Sequence, residues 1–105
     1  MNLELFYTIQ KILIEKYKML DNVVYTKHDI LMISIRQGIS QIFLNKWVSS
    51  PDSDPLDILE NMILLYFLYQ KNAGQTNRLK LYAFYTEYIR TLISIKNLIK
   101  KETTI

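Results

Sequence analysis

His28 is the single histidine of the chain, and it stands beside Asp29 at the start of a helical stretch. An imidazole next to a carboxylate is the beginning of a general base or a metal site, but either needs further groups at fixed spacing. The sequence supplies no cysteine, no second histidine, no glycine-rich phosphate loop and no Gly-x-Ser-x-Gly turn. His28 therefore reads as a surface or half-buried side chain without a catalytic role. Asp52, Asp54, Asp57 and Glu60 gather around one linker and invite a calcium reading. They lack the loop glycine and the terminal glutamate spacing of an EF-hand. Helix capping explains them better: Asp54 as the cap, with Asp57 and Glu60 near the positive helix N-terminus. The expectation is a non-enzymatic protein with no metal and no cofactor.

Charge gives a second set of candidates. Residues 76–105 hold Arg78, Lys80, Arg90, Lys96, Lys100 and Lys101 against Glu87 and Glu102, an excess larger than the net +3 of the whole chain. Such a face suits an anionic partner or a membrane surface. Trp47 ends the second helix, and two readings stay open for it: a lid on the core, or a partner anchor, since tryptophan is enriched at binding hot spots. These seven residues are the candidate partner-binding set. Nucleic acid is a poorer partner. Tyr82, Tyr85 and Tyr88 fall on an apolar seam and Glu87 interrupts the basic face, while a helix-turn-helix needs two short helices around a tight turn.

The elements that must carry these groups are helical throughout. The chain has 105 residues, half of them apolar, which predicts one domain with a core needing no crosslinks. Only two glycines and two prolines occur, so breaks are easy to place. Periodicity predicts helices over about 3–20, 27–47, 55–71 and 77–100. Phe6, Ile9, Leu13, Tyr17 and Leu20 form the first seam; Ile30 or Leu31, Ile35, Ile39, Ile42, Phe43 and Trp47 the second. Asp21-Asn22 favours a turn. Thr26 with Asp29 is a cap, and Asp54-Pro55 starts the third helix. Apolar content from Ile58 to Tyr69 is nearly continuous, which predicts the most buried helix. Gly74 is expected just past its end and Thr76 as the cap of the fourth helix. That helix carries Leu79, Tyr82, Tyr85, Tyr88, Ile89, Leu92, Ile95 and Ile99 as a core-facing line, and Glu102–Ile105 is expected to fray.

Gly38 lies inside the second helix, where glycine costs about 1 kcal/mol relative to alanine. The expectation is close packing of a neighbouring helix at that point, so that leucine there would overpack. Short loops predict an antiparallel up-down four-helix bundle, most simply a monomer. The Met1–Leu5 start has no basic segment before an apolar one, so no signal peptide is read. The longest apolar run, Met62–Tyr69, falls short of the roughly 18–20 residues that span a bilayer.

The stretch Ile33-Ser34-Ile35-Arg36-Gln37-Gly38-Ile39-Ser40-Gln41-Ile42-Phe43-Leu44-Asn45-Lys46 resembles the second-helix region of immunity proteins for pediocin-like (class IIa) bacteriocins. The order of elements is similar too: a proline-containing linker, an apolar third helix with tyrosines, a short loop and a long fourth helix rich in Tyr, Lys and Arg. The resemblance implies a cytoplasmic antiparallel four-helix bundle that protects a bacteriocin producer from its own peptide. It implies action at the inner membrane face, on the mannose phosphotransferase permease with bacteriocin bound, with specificity in the C-terminal half. By position that points to Arg78, Lys80, Arg90, Lys96, Lys100 and Lys101. The chain departs from members whose longer C-terminal segment folds back on the bundle, since it ends about five residues after the fourth helix. A small phage- or plasmid-encoded helical regulator, binding a protein or nucleic acid, is the alternative.

Overall fold

The computed structural model describes residues 1–104. Four helices follow one another: α1 (Leu3–Tyr17), α2 (Lys27–Ser49), α3 (Pro55–Gln75) and α4 (Leu79–Thr103). No strand occurs among the described residues, so the fold is all-α.

Local chemistry explains most of the boundaries. The Asn2 side chain accepts from the Leu5 N–H at 3.0 Å and opens α1. Thr26 and Asp29 form a reciprocal capping box: Asp29 N–H donates to Thr26 Oγ1 at 3.1 Å, and Thr26 N–H donates to Asp29 Oδ2 at 3.0 Å. Those bonds hold the Asp29 carboxyl below its ordinary range. Asp54 accepts from Leu56 N–H at 2.9 Å ahead of Pro55, as the linker composition predicts.

Three boundaries differ from expectation. α1 stops at Tyr17 rather than near Leu20: Lys18 is extended, and the Tyr17 carbonyl accepts from Gln37 Nε2 at 2.8 Å. Leu20 N–H then donates to the Tyr25 hydroxyl at 2.8 Å, outside any helix. α3 runs through Gly74 to Gln75, and Thr76 is its C-cap, not the cap of α4. The left-handed position falls on Asn77 (φ 60), with Arg78 N–H donating to Ala73 O at 2.8 Å and Asn77 N–H to Gly74 O at 3.3 Å. That is a Schellman closure built on asparagine. α4 continues to Thr103, beyond the expected fraying point; Ile105 lies outside the described residues.

α3 and α4 make the most extensive pair; α4 also packs along α2, while α1 lies mainly on α2 and does not meet α3. Glu60 pairs with Lys96, Tyr66 stacks near Tyr88, and Gln70 donates to Thr86 at 2.7 Å, so residue numbers run in opposite directions along α3 and α4. The core joins Phe6, Ile9 and Leu13 of α1 to Ile39, Phe43 and Trp47 of α2, Leu59 and Met62 of α3, and Ile89, Leu92, Ile95 and Ile99 of α4. The body is flattened, 42 × 39 × 24 Å, and much of its broad surface is apolar.

That shape corrects the expected burial of α3. Its apolar run lies against α4 on one side only, so Leu64 (60%) and Leu68 (65%) face outward on its uncovered side. It also divides the α4 seam. Ile89, Leu92, Ile95 and Ile99 are core, whereas Leu79 is 72% exposed and Tyr82 is exposed as well. Tyr85 and Tyr88 are half-buried and meet Tyr66 and Tyr69 of α3 with ring centroids 5.3–5.9 Å apart. Burial raises the Tyr66 hydroxyl pKa, and the neighbouring tyrosines push it the same way.

Gly38 is corrected as well. Nothing lies within 4 Å of where a Cβ would stand, so no helix packs closely there. The residue faces solvent, one position before the buried pair Ile39 and Ser40. The tight approach is at Gly74, whose added Cβ would meet the Tyr82 ring at 3.4 Å.

Candidate docking cleft between α2 and α4

The first turns of α2 and α4 line a cleft of about 640 Å³. Leu31, Met32 and Ile35 form its α2 wall; Ala83 and Phe84 stand opposite on α4. Leu31 and Met32 each lie about one turn from Ile35, so the α2 wall is an apolar stripe, whereas the α4 wall offers the consecutive Tyr82, Ala83 and Phe84. Polar groups occupy the edge. His28 lies at the α2 end, while Lys80 and Arg90 bracket the α4 wall.

The base of the cleft holds an ion pair across the two helices. Glu87 is buried, and its Oε1 accepts from Arg36 Nε at 2.9 Å. Its other oxygen lies 3.9 Å from Arg90, whose side chain is 75% exposed. A carboxylate in this position is compensated on both sides, as a buried charge must be. Tyr17 lies close enough to feel both Arg36 and Glu87, and burial dominates in raising its hydroxyl pKa. Arg36, Arg90 and Lys80 thus outnumber the one carboxylate, and the edge of the cleft is cationic. The nearest further acid by sequence, Asp29, has its carboxylate engaged in the capping box.

The six expected partner-binding cations fall in four different places. Lys80 and Arg90 border the cleft. Lys96 does not present a free charge: its ammonium pairs with Glu60 of α3, which holds the Glu60 carboxyl below its ordinary range. Lys100 and Lys101 project from the last turn of α4, at the opposite end from Lys80 and Arg78, about 30 Å away at 1.5 Å per residue. Arg78 occupies the cap position of α4 with no side-chain capping bond. The six cations therefore do not make one surface.

Trp47 leaves the candidate set. It is 2% exposed, edge-on to Phe6 at 5.1 Å and tilted against Phe43 at 5.6 Å. Of its two readings, the core lid is the one the geometry supports. Conversely, the cleft includes His28 and Glu87, to which the sequence assigned no binding role. Its signal was the uninterrupted apolar run Ile30-Leu31-Met32-Ile33, which exceeds what one buried stripe of α2 requires.

Among the described residues no three acidic or histidine side chains gather in a way that could hold a metal ion, and no helix is long and apolar enough to cross a membrane. What the cleft can do is exclude water from an apolar surface while cations select the charge of whatever lies on it. Comparison of the chain with protein-family models, curated proteins and solved structures finds no match.

Proposed function

We propose that this chain is a non-enzymatic binding protein of the bacteriocin-immunity kind, an up-down antiparallel four-helix bundle. In this reading it protects a producer cell from a pediocin-like peptide by engaging the bacteriocin-bound mannose phosphotransferase permease at the cytoplasmic side. The observation that carries the binding role is the open apolar cleft between α2 and α4. A domain of this size fills its core elsewhere yet leaves Leu31, Met32, Ala83 and Phe84 available beside a cationic edge. The resemblance over Ile33–Lys46 directs that role to immunity, and Arg36 of that stretch holds the base of the cleft.

Expression in a strain sensitive to class IIa peptides tests the reading. At least one peptide of a representative panel should lose potency against the expressing cells. Full potency of every peptide, with the protein present and folded, would remove the immunity assignment.

A further inference from the structure

We infer that the α2–α4 cleft takes an amphipathic helix from a partner protein, with an apolar stripe flanked by carboxylates. This rests on the binding-protein reading above but not on the identity of the protected peptide.

Three features converge on that occupant. The first is shape. The walls are formed by two helices, with an apolar stripe along α2 facing Tyr82, Ala83 and Phe84 of α4, and a groove between two helices can receive a third. The second is length. Lys80 and Arg90 are ten residues apart on α4, about 15 Å of helix rise. An apolar stripe at i, i+3 or i+4, and i+7 covers about 10.5 Å, which leaves room for one carboxylate beyond each end. The third is charge. Glu87 is engaged by Arg36 at 2.9 Å and reaches Arg90 only at 3.9 Å, so Lys80 and the largely exposed Arg90 guanidinium are placed to meet anions arriving from outside. A cationic helix would find two like charges at the border and no free acid in the cleft.

The vacancy also has a structural origin that fits a helix. α1 lies on α2 between Gln37, which bonds the Tyr17 carbonyl, and Trp47, which meets Phe6 edge-on. The α2 turns from His28 to Ile35 extend past the end of α1. A docked helix would occupy the position α1 leaves free.

The test uses two capped synthetic helices of about fourteen residues. Both carry leucines at i, i+3 and i+7; one has glutamates flanking them, the other lysines. Binding is followed by fluorescence anisotropy and located by amide chemical-shift changes in the full chain. The glutamate peptide should bind about ten-fold more tightly than its lysine twin, with shifts centred on Leu31, Met32, Ala83 and Phe84. Lys80→Glu with Arg90→Gln should abolish that preference, and Ala83→Trp should weaken both peptides by filling the cleft. Both variants alter exposed positions, and circular dichroism checks that they remain folded. Equal affinity for the two peptides, shifts on the outer face of α3 at Leu64 and Leu68, or no binding would overturn the inference. So would tighter occupation of the cleft by dodecanoate, or self-association of the chain through it. The outcome separates from that of the immunity reading. Protection retained in Lys80→Glu/Arg90→Gln refutes the cleft while leaving immunity standing. Charge-selective peptide binding without protection does the reverse.

Discussion

Replacing Trp47 with alanine decides between the two roles its position in the sequence allows. The indole is 2% exposed and rests against Phe6 at 5.1 Å and Phe43 at 5.6 Å. A buried tryptophan removes on the order of 200 Å² from water, worth about 5 kcal/mol at about 25 cal/mol per Å². Partial relaxation of the cavity brings the expected loss to about 3–5 kcal/mol. A chain of this length has about 5–15 kcal/mol in all, so the variant should sit near the edge of folding at ambient temperature.

The effect should be largest for α1. That helix contributes only Phe6, Ile9 and Leu13 to the buried core, and Phe6 loses its aromatic neighbour when Trp47 is removed. Urea titration followed by circular dichroism suits the measurement, because the variant lacks the chain's only tryptophan. With a slope of about 1–3 kcal/mol per molar urea, the midpoint should fall by more than about 1 M. Trp47→Phe keeps a ring in the same space and should lose less than half as much. A Trp47→Ala protein within about 1 kcal/mol of the parent would refute the packing argument. If such a protein also lost protection or peptide binding, Trp47 would return to the partner-binding set.

Gly38→Ala should raise stability by about 1 kcal/mol, since the position is helical, exposed and free of neighbours within 4 Å. Chemical denaturation checks it, and a loss would restore a close helix contact there. At high pH the bundle should weaken. Tyr66 and Tyr17 have hydroxyl pKa values raised above 10.0 by burial, so their contribution is complete below that pH and is lost as pH rises through the folded-state values. Stability measured from neutral to strongly alkaline pH should decline above about 10, and Tyr66→Phe should flatten the decline. An unchanged alkaline limb in Tyr66→Phe would remove that residue from the account.

Where a boundary depended on a few neighbouring atoms, it was legible in the sequence. Thr26 with Asp29, and Asp54 with Pro55, satisfy backbone groups within the same turn, so their meaning needs no knowledge of the rest of the chain. Gly74 misled for the same local reason: glycine favours the left-handed position after a helix, but Asn77 can adopt it as well. With Asn77 in that role, Gly74 stayed helical and received the Tyr82 ring instead. The inaccessible part was exposure. An almost continuous apolar run on α3 fits any orientation, and only the side taken by α4 determines that Met62 and Ile63 go in while Leu64 and Leu68 stay out. Likewise Lys96 and Lys80 are indistinguishable as sequence; one lands opposite Glu60 and the other beside an open cleft.

The cleft lies beside the turns of α2 that extend past the early end of α1. Periodicity favours continuing the helix to Leu20, which would add about 4.5 Å along its axis. In a helix ending at Leu20 the Tyr17 carbonyl would be among the last four, without an intrahelical partner, and in the structure it accepts from Gln37 on α2. Lys18 then turns extended, and Leu20 bonds to Tyr25 across the connecting loop. These interactions fix where α1 stops along α2, and everything on α2 before Gln37 is left without cover from it. Met32 and Ile35 therefore face a gap rather than a fourth side of the core, and Arg36 can reach across to Glu87 at its base. The termination of α1 and the opening of the cleft are one structural event. A docking surface arises here from the early end of a helix, with no dedicated loop or insertion, and its chemistry is set by the side chains already facing that gap.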